Sequence, residues 1–376
     1  MKPSVCFVTC ELHPFNGGGI GRLLRNLIDE HHRDVDMHVM LASAYPLPTT
    51  DGGGTLEGVT VHHAPMSRWH KLVGTAHEHR MSLEISHALV RLAKTVRFDF
   101  VEFHDFRGWG ASALETRDWQ HGPIVVRLHG TTGIIRAHEA RATPIDAFNV
   151  ALERRALDSA HRLIAPLPSV IDAYQRFYGF PDAWRRRVEI AFPPVAPPSA
   201  ECVQRPARER DLVFVTRVSR VKQPDLFVQA AARFMQRVPE FAGRAVLAST
   251  VEDAGLFAEV MSAIDRDLAD RFVHVTDPQA RAAAVTGSIA VIPSSFETLS
   301  LAAYEAAASG ATLVVNQRCP AFADGTPFAA PEAAFRFDGT VDDLTRCLEM
   351  AWRSPRLPGP RWQADRPYWE RPQHPA

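Results

Sequence analysis

The 376-residue sequence has almost no net charge, −1 from 42 Lys and Arg against 43 Asp and Glu. That balance argues against a nucleic-acid partner, which usually meets a marked basic excess. Paired cysteines are also missing. The five present (Cys6, Cys10, Cys202, Cys319 and Cys347) are scattered without a CxxC, a pattern that suits a reducing compartment and offers no zinc motif. No apolar run reaches the roughly 18 residues of a membrane span, and "MKPSVCFVTCELHPF" lacks the apolar core and cleavage site of a signal peptide. There is no internal repeat. With 46% hydrophobic and 23% charged residues, what remains is an ordinary globular chain. It is long enough for two domains on a prior of about 150 residues each, and it is expected to be cytoplasmic.

What is present is an alternation of short β-rich runs with helix-period segments, the pattern of parallel sheets covered by helices. In the first half, strands are expected at Val5 to Cys10, Met37 to Leu41, Val59 to His63, Phe100 to Phe103, Ile124 to Leu128 and Arg162 to Ala165. Ile20, Leu23, Leu24, Leu27 and Ile28 form one apolar face of a first helix, and another helix is expected near Ser169. Prolines at 193, 194, 197, 198 and 206 interrupt both kinds of element and mark a linker near 193–210. A second series follows at Leu212 to Thr216, Ala245 to Ala248, Phe272 to Val275, Ile289 to Ile292 and Thr312 to Val315. The expected fold is α/β, with two Rossmann-like doubly wound domains facing across a central cleft and ligands at the carboxyl ends of strands. The domains are set at 1–198 and 199–352, with a tail over 353–376.

Several segments at those strand ends carry chemistry. "GGGIG", Gly17 to Gly21, follows strand one. Glycines there let backbone N–H groups approach a phosphate or sugar, although a flexible turn would read the same way and the spacing fails the dinucleotide pattern. In "VFVTRVSRVKQPDLF", Arg217, Arg220 and Lys222 occupy the loop between a strand and a helix that Pro224 can open. Three cations there suit a diphosphate, and a solvated basic loop is the plainer reading. "SSFETLSLAAYEAAASG" places Glu297 and Glu305 eight residues apart. Glu297 is expected at the strand exit and Glu305 one to two turns into a helix capped by Thr298 or Ser300. Carboxylates so placed can each accept two hydroxyls, which sugars and riboses supply. Spacing alone is weak, since Glu201 and Glu209 share it inside the proline-rich linker. Asp34 to Asp36, "DVD", imitates a metal-binding Asp-x-Asp but reads as turn residues.

Together these segments resemble glycosyltransferase family 4, the retaining, metal-independent enzymes of the GT-B fold. "FETLSLAAYEAAASG" matches the family's Glu-x7-Glu signature. "TRVSRVKQ" is similar to its diphosphate-binding segment, keeping Arg217 and Lys222 while Thr216 and Gln223 stand for glycines. "GGGIGRLL" corresponds to its N-terminal glycine loop, "VVRLHGTT" to its strand-end His-Gly, and "DFVEFHD" to a strand near the acceptor cleft.

The resemblance implies that Arg217 and Lys222 hold the diphosphate of a nucleotide-sugar donor, that Glu297 binds the transferred sugar and that Glu305 binds the ribose. Thr298, Leu299 and Ser300 would contact sugar or phosphates through their amides, and His129 would reach the donor sugar. Gly18 and Gly19 would lie near the diphosphate and the acceptor, and His104 and Asp105 border the acceptor cleft. It implies no cofactor beyond the nucleoside-diphosphate sugar itself, no metal, and a sugar-bearing or hydroxyl-bearing acceptor. Membrane contact is at most peripheral, and the basic-aromatic stretch Arg68 to Lys71 is the one candidate for it. Thr298 replaces a usual glycine, and "NQRCPAFADG" replaces a common Gly-Gly-x-x-Glu segment. These departures keep two competing readings alive: a catalytically silent nucleotide- or glycan-binding protein, and a nucleotide-sugar isomerase on the same fold.

Overall fold

The computed structural model describes residues 2–13, 18–42, 58–64, 77–139, 144–195 and 210–371. The linker pair Glu201 and Glu209, Cys202, Gly17 and the stretch Arg68 to Lys71 lie outside them. The chain forms two compact units, one of Met1–Pro194 with Gln363–Ala376 and one of Val195–Trp362.

In unit 1 the strands are β1 (Ser4–Thr9), β2 (Asp36–Leu41), β3 (Val59–His63), β4 (Phe100–His104), β5 (Ile124–Arg127), β6 (Arg162–Ala165) and β7 (Val188–Ile190). They make a parallel sheet in the order β3-β2-β1-β4-β5-β6-β7. The helices are α1 (Gly19–His31), α2 (His77–Leu92), α3 (Ala111–Leu114), α4 (Thr132–Glu139), α5 (Pro144–Ser159), α6 (Pro168–Tyr178) and α7 (Asp182–Arg186). The strand order reverses between β1 and β4, so the loops leaving those strands flank the crevice where doubly wound sheets take ligands.

Unit 2 repeats the plan with β8 (Leu212–Phe214), α8 (Pro224–Arg237), β9 (Ala245–Ala248), α9 (Ala254–Ser262), β10 (Phe272–Val275), α10 (Pro278–Val285), β11 (Ile289–Ile292), α11 (Leu301–Ala308), β12 (Thr312–Asn316), β13 (Phe335–Phe337) and α12 (Val341–Arg353). Its order is β10-β9-β8-β11-β12-β13, with the reversal between β8 and β11. The inner strands β8, β9, β11 and most of β12 are apolar runs buried on both faces, which is why they read as short hydrophobic blocks without alternation.

Most expected strands form within a residue of their predicted ends. β8 stops two residues early, at Phe214, and Val218 instead makes an isolated bridge to Val251. The edge strands β7 and β13 were not expected, because three residues are too few to show a period. Asp36, expected in a turn, opens β2, and its carboxylate lies 3.3 Å from His38 Nε2. The tail divides between the units. Trp362 meets Tyr304 edge to face in unit 2, with ring centroids 4.9 Å apart, whereas Tyr368 and Trp369 are buried in unit 1 against Phe100 and Phe7. Asp365 fixes this return, accepting from Phe192 N at 2.8 Å while its own N–H donates to Phe192 O at 2.9 Å. Among the described residues no helix is long and apolar enough to cross a membrane.

Candidate active site

In unit 2 the residues on either side of the reversal meet. After β8 the chain makes a 3-10 turn over Arg220–Lys222, and after β11 it runs through Pro293 to Ser300 before α11 begins. Val221 O joins the two loops, accepting from Ser295 N at 2.9 Å and Ser295 Oγ at 3.2 Å. Lys222 Nζ then lies 2.8 Å from Glu297 Oε1, with both side chains about seven-eighths buried, at 13% and 14% exposure. Ser294 Oγ donates to the same carboxylate oxygen at 3.0 Å. From β12, Asn316 Nδ2 donates to the carbonyls of Pro293 and Ser294 at 3.2 and 3.3 Å. A low-dielectric ion pair braced this way is held in position before any ligand arrives.

The other two cations expected beside it point elsewhere. Arg217 Nη1 lies 3.4 Å from Glu252 Oε2, both half exposed, and Arg220 pairs with Glu259 on α9 at 3.5 Å. Such surface pairs are worth about 0–1 kcal/mol, so Arg217 is free to be drawn away by a stronger anion. Glu305 lies on α11, two turns from Glu297 in sequence. Thr298 and Leu299 are buried in the loop between the two glutamates.

The expected cap on α11 does not form as predicted. Ser300 occupies the N-cap position, but at φ 61 and ψ 67, and no side chain there accepts a hydrogen bond from the helix. This left-handed conformation costs a serine about 1–2 kcal/mol relative to right-handed backbone. Its hydroxyl is buried and has no hydrogen-bond partner, a further cost of about 1–3 kcal/mol. Gln223, next to Lys222, repeats the combination with φ 52 and a buried, unpartnered Oε1. Thr216, Ser219 and Ser249, all at the carboxyl edge of the sheet, also bury hydroxyls without partners.

In unit 1 the corresponding loops pair their backbone N–H groups with buried carboxylates, although Arg107 there also has positive φ, 68. Asp105, just after β4, is wholly buried. It accepts from His129 N at 2.9 Å, from Gly130 N at 3.4 Å and from the Tyr174 hydroxyl. Glu153 on α5 is equally buried and accepts from Arg107 N at 3.0 Å, Thr132 N at 2.6 Å, Gly133 N at 3.1 Å and Tyr178 Oη at 3.1 Å. Two carboxylates thus clamp the His129 to Gly133 loop, and each is tied to a tyrosine of α6 one turn apart. Burial pushes Asp105 up to about 6 and Glu153 up to about 7, outweighing the hydrogen bonds that oppose the rise. Sequence reasoning placed Asp105 beside a ligand, but the structure spends its oxygens on the His129 loop. Glu153, Tyr174 and Tyr178 were missed because no motif marks a carboxylate that binds backbone across 20 residues.

His129 is held neutral well below the usual histidine range, by burial first and then by Arg127 and His104. His104 is buried, neither ring nitrogen makes a hydrogen bond, and burial lowers it to about 4. Both rings line a cavity of about 20 Å³ with Glu102 and apolar residues of β1 and α1. That is room for roughly one water molecule and too little for a sugar. At the start of α1, Glu11 Oε2 accepts from Gly21 N at 3.1 Å. A side chain on Gly18 would put Cβ 2.0 Å from the same carboxylate, whereas Gly19 faces open space. The first-helix N-terminus, a natural anion site, is therefore held by the chain's own carboxylate. Among the described residues no cluster of three His, Cys, Asp or Glu is placed to hold a metal.

Comparison with known proteins fits this arrangement. The family described as Glycosyltransferase Family 4 matches residues 17–196, and that described as Glycosyl transferases group 1 matches residues 209–350. A D-inositol 3-phosphate glycosyltransferase of Kribbella flavida is 28% identical over 58% of this chain and 54% of its own length. One from Thermobifida fusca is 30% identical over 58% and 53%. The chain spans about half the length of these curated relatives. Sucrose-phosphate synthase from Thermosynechococcus elongatus superposes with a TM-score of 0.65 at 15% identity, covering 93% of this chain and 91% of that one. The catalytic domain of starch synthase IV from Arabidopsis thaliana, bound to ADP and acarbose, gives 0.65 at 14%, covering 94% and 92%. These likenesses identify the fold as GT-B. With its two units matched in turn by the two family descriptions and its glutamate pair and Lys222 set at the strand reversal of the second, the chain belongs to glycosyltransferase family 4.

Proposed function

We propose that the protein is a retaining, metal-independent glycosyltransferase that moves a sugar of hexose type from a nucleoside diphosphate to a hydroxyl of a glycan, lipid or small-molecule acceptor. The observation that carries this reading is the Lys222–Glu297 pair at 2.8 Å, standing where β8 and β11 diverge. Lys222 supplies a fixed positive charge for the diphosphate, and Arg217 joins it by leaving Glu252. Their charge stabilises the leaving group as the anomeric C–O bond breaks. Glu297 accepts hydrogen bonds from the transferred sugar, and Glu305 from the ribose. The new bond forms on the face the diphosphate leaves, and the acceptor's proton passes to a departing phosphate oxygen, so no separate protein base is required. Neutral His129, on its clamped loop, is the first unit's hydrogen-bonding group for sugar. The names of the relatives recommend a phosphorylated cyclitol as the first small acceptor to try.

The test is calorimetric binding of UDP, GDP, ADP and dTDP in EDTA to wild type and to Lys222→Ala, followed by turnover of the matching sugar donor. One nucleotide should bind selectively without metal, and Lys222→Ala should lower turnover at least about 100-fold, the scale of losing a preorganised charge partner. Binding without turnover for any acceptor would favour the silent binding protein. Near-normal turnover in Lys222→Ala would overturn the site.

A further inference from the structure

One buried carboxylate of unit 1 does more than helix capping requires. Glu153 on α5 is fully buried, and a carboxylate so deep is costly unless hydrogen bonds offset its desolvation. Two of its donors, Thr132 N and Gly133 N, open α4, and a third, Arg107 N, belongs to the loop after β4. Capping alone does not account for this arrangement, because α4 already has a local cap: Ile134 N donates to Thr131 Oγ1 at 3.3 Å. What Glu153 adds is a link between loops. Its Oε1 accepts from both Arg107 N and Thr132 N, so one oxygen fixes the loop after β4 against the loop after β5.

The loop after β4 is strained where it is held. Arg107 has φ 68 and ψ 0, a left-handed backbone that a non-glycine residue rarely adopts. Gly108 follows at φ 64 and passes so close to α5 that a Cβ there would lie 2.5 Å from Glu153 N. Strain of this kind persists only where the surrounding structure over-determines it, and it gathers at functional sites. On the other loop, His129 stands three residues before Thr132, and its N–H donates to Asp105 at 2.9 Å. The turn that carries His129 is therefore fixed at both ends, by Asp105 at one and by Glu153 at the other.

We propose that Glu153 is a positioning residue for sugar transfer: it holds the His129 turn against the loop after β4, so that the His129 side chain meets the sugar in the reactive orientation. This rests on the reading of His129 given above and goes beyond it, since Glu153 acts only through the loop it holds. A displaced His129 slows the chemical step, while the nucleotide, whose contacts lie in unit 2, binds as before.

The experiment is a double-mutant cycle on turnover with wild type, Glu153→Gln, His129→Ala and the two combined. Glutamine keeps the volume and one accepting oxygen, so the backbone N–H groups that faced the other oxygen lose their partner. Glu153→Gln should lower kcat at least about 10-fold and leave the Kd for the selected nucleoside diphosphate within about twofold of wild type. In the His129→Ala background the same substitution should change kcat by no more than about twofold, because a residue that acts through His129 then has nothing to position. Three results would each make Glu153 a structural residue only and overturn the inference, with the role of His129 left standing: kcat within about twofold of wild type in Glu153→Gln, an equal loss of kcat in both backgrounds, or weakened nucleotide binding. If Glu153→Gln does not fold, Tyr178→Phe, which removes one of the four donors, goes through the same cycle. A loss of about threefold that disappears without His129 is then expected, and no loss, or a loss of the same size in both backgrounds, overturns the inference. If His129→Ala turns over like wild type, or if wild type turns over no sugar donor, the underlying reading fails and takes this inference with it.

Discussion

The loops after β4 and β5 in unit 1 and those after β8 and β11 in unit 2 stand at the carboxyl edges of two sheets of the same plan, yet they treat their backbone donors and charged groups differently. In unit 1 the backbone N–H groups of His129, Gly130, Thr132 and Gly133 all reach Asp105 or Glu153, and both carboxylates are tied to tyrosines. In unit 2 the Lys222–Glu297 pair is surrounded by residues that hold strain or unused hydrogen-bonding capacity. A loop whose backbone donors are paired to buried carboxylates is a scaffold. A buried ion pair with unpaired hydroxyls near it is costly to keep.

The contrast predicts a clear stability cost for polar deletions in the clamp of unit 1. Glu153→Ala strands four donors in unit 1 and should destabilise it by about 3–5 kcal/mol, visible as a loss of its thermal transition. A melting temperature unchanged from wild type would break the comparison. The same clamp should carry a pH signature. Asp105 and Glu153 bind protons more tightly folded than unfolded, so their contribution to stability is complete below their unfolded values near pH 4. It is lost as pH rises through about 6 and about 7. Glu153→Gln should flatten that decline between about pH 4 and 7. An equally steep decline would remove Glu153 as its source. Tyr174→Phe removes a donor to Asp105 and the acceptor of Gly130 N, and chemical denaturation should show a loss of about 1–2 kcal/mol. The smallest effect belongs to Gly18→Ala, which displaces the flexible Glu11 carboxylate from α1. A loss of about 1 kcal/mol is expected, the scale of a helix cap. A much larger loss would mean that the backbone, and not Glu11, resists the methyl group.

How far the sequence alone reached depended on the range of the interactions involved. The apolar blocks of β6, β9 and β11 and the face of α1 were legible because burial on a parallel sheet requires contiguous or 3.6-period apolar residues. Glu297 and Lys222 were legible through the loops that hold them. Arg217 and Arg220 carried the same promise, but neighbouring surface carboxylates engage them. The φ of Ser300 left no trace in composition, since serine is an ordinary N-cap residue and only the surrounding fold imposes the left-handed backbone.

What the sequence by itself determined is the alternation of strand and helix, the break near the proline-rich linker, and the presence of a carboxylate pair with basic residues at strand exits. These are local patterns, written in consecutive residues. Only the tertiary structure decided that Glu153 clamps a loop 20 residues away, that the tail returns to unit 1, and that Lys222 alone among the three cations reaches Glu297. Each of these depends on which strands become neighbours, and strand order is set by packing the whole sheet, which no single segment encodes.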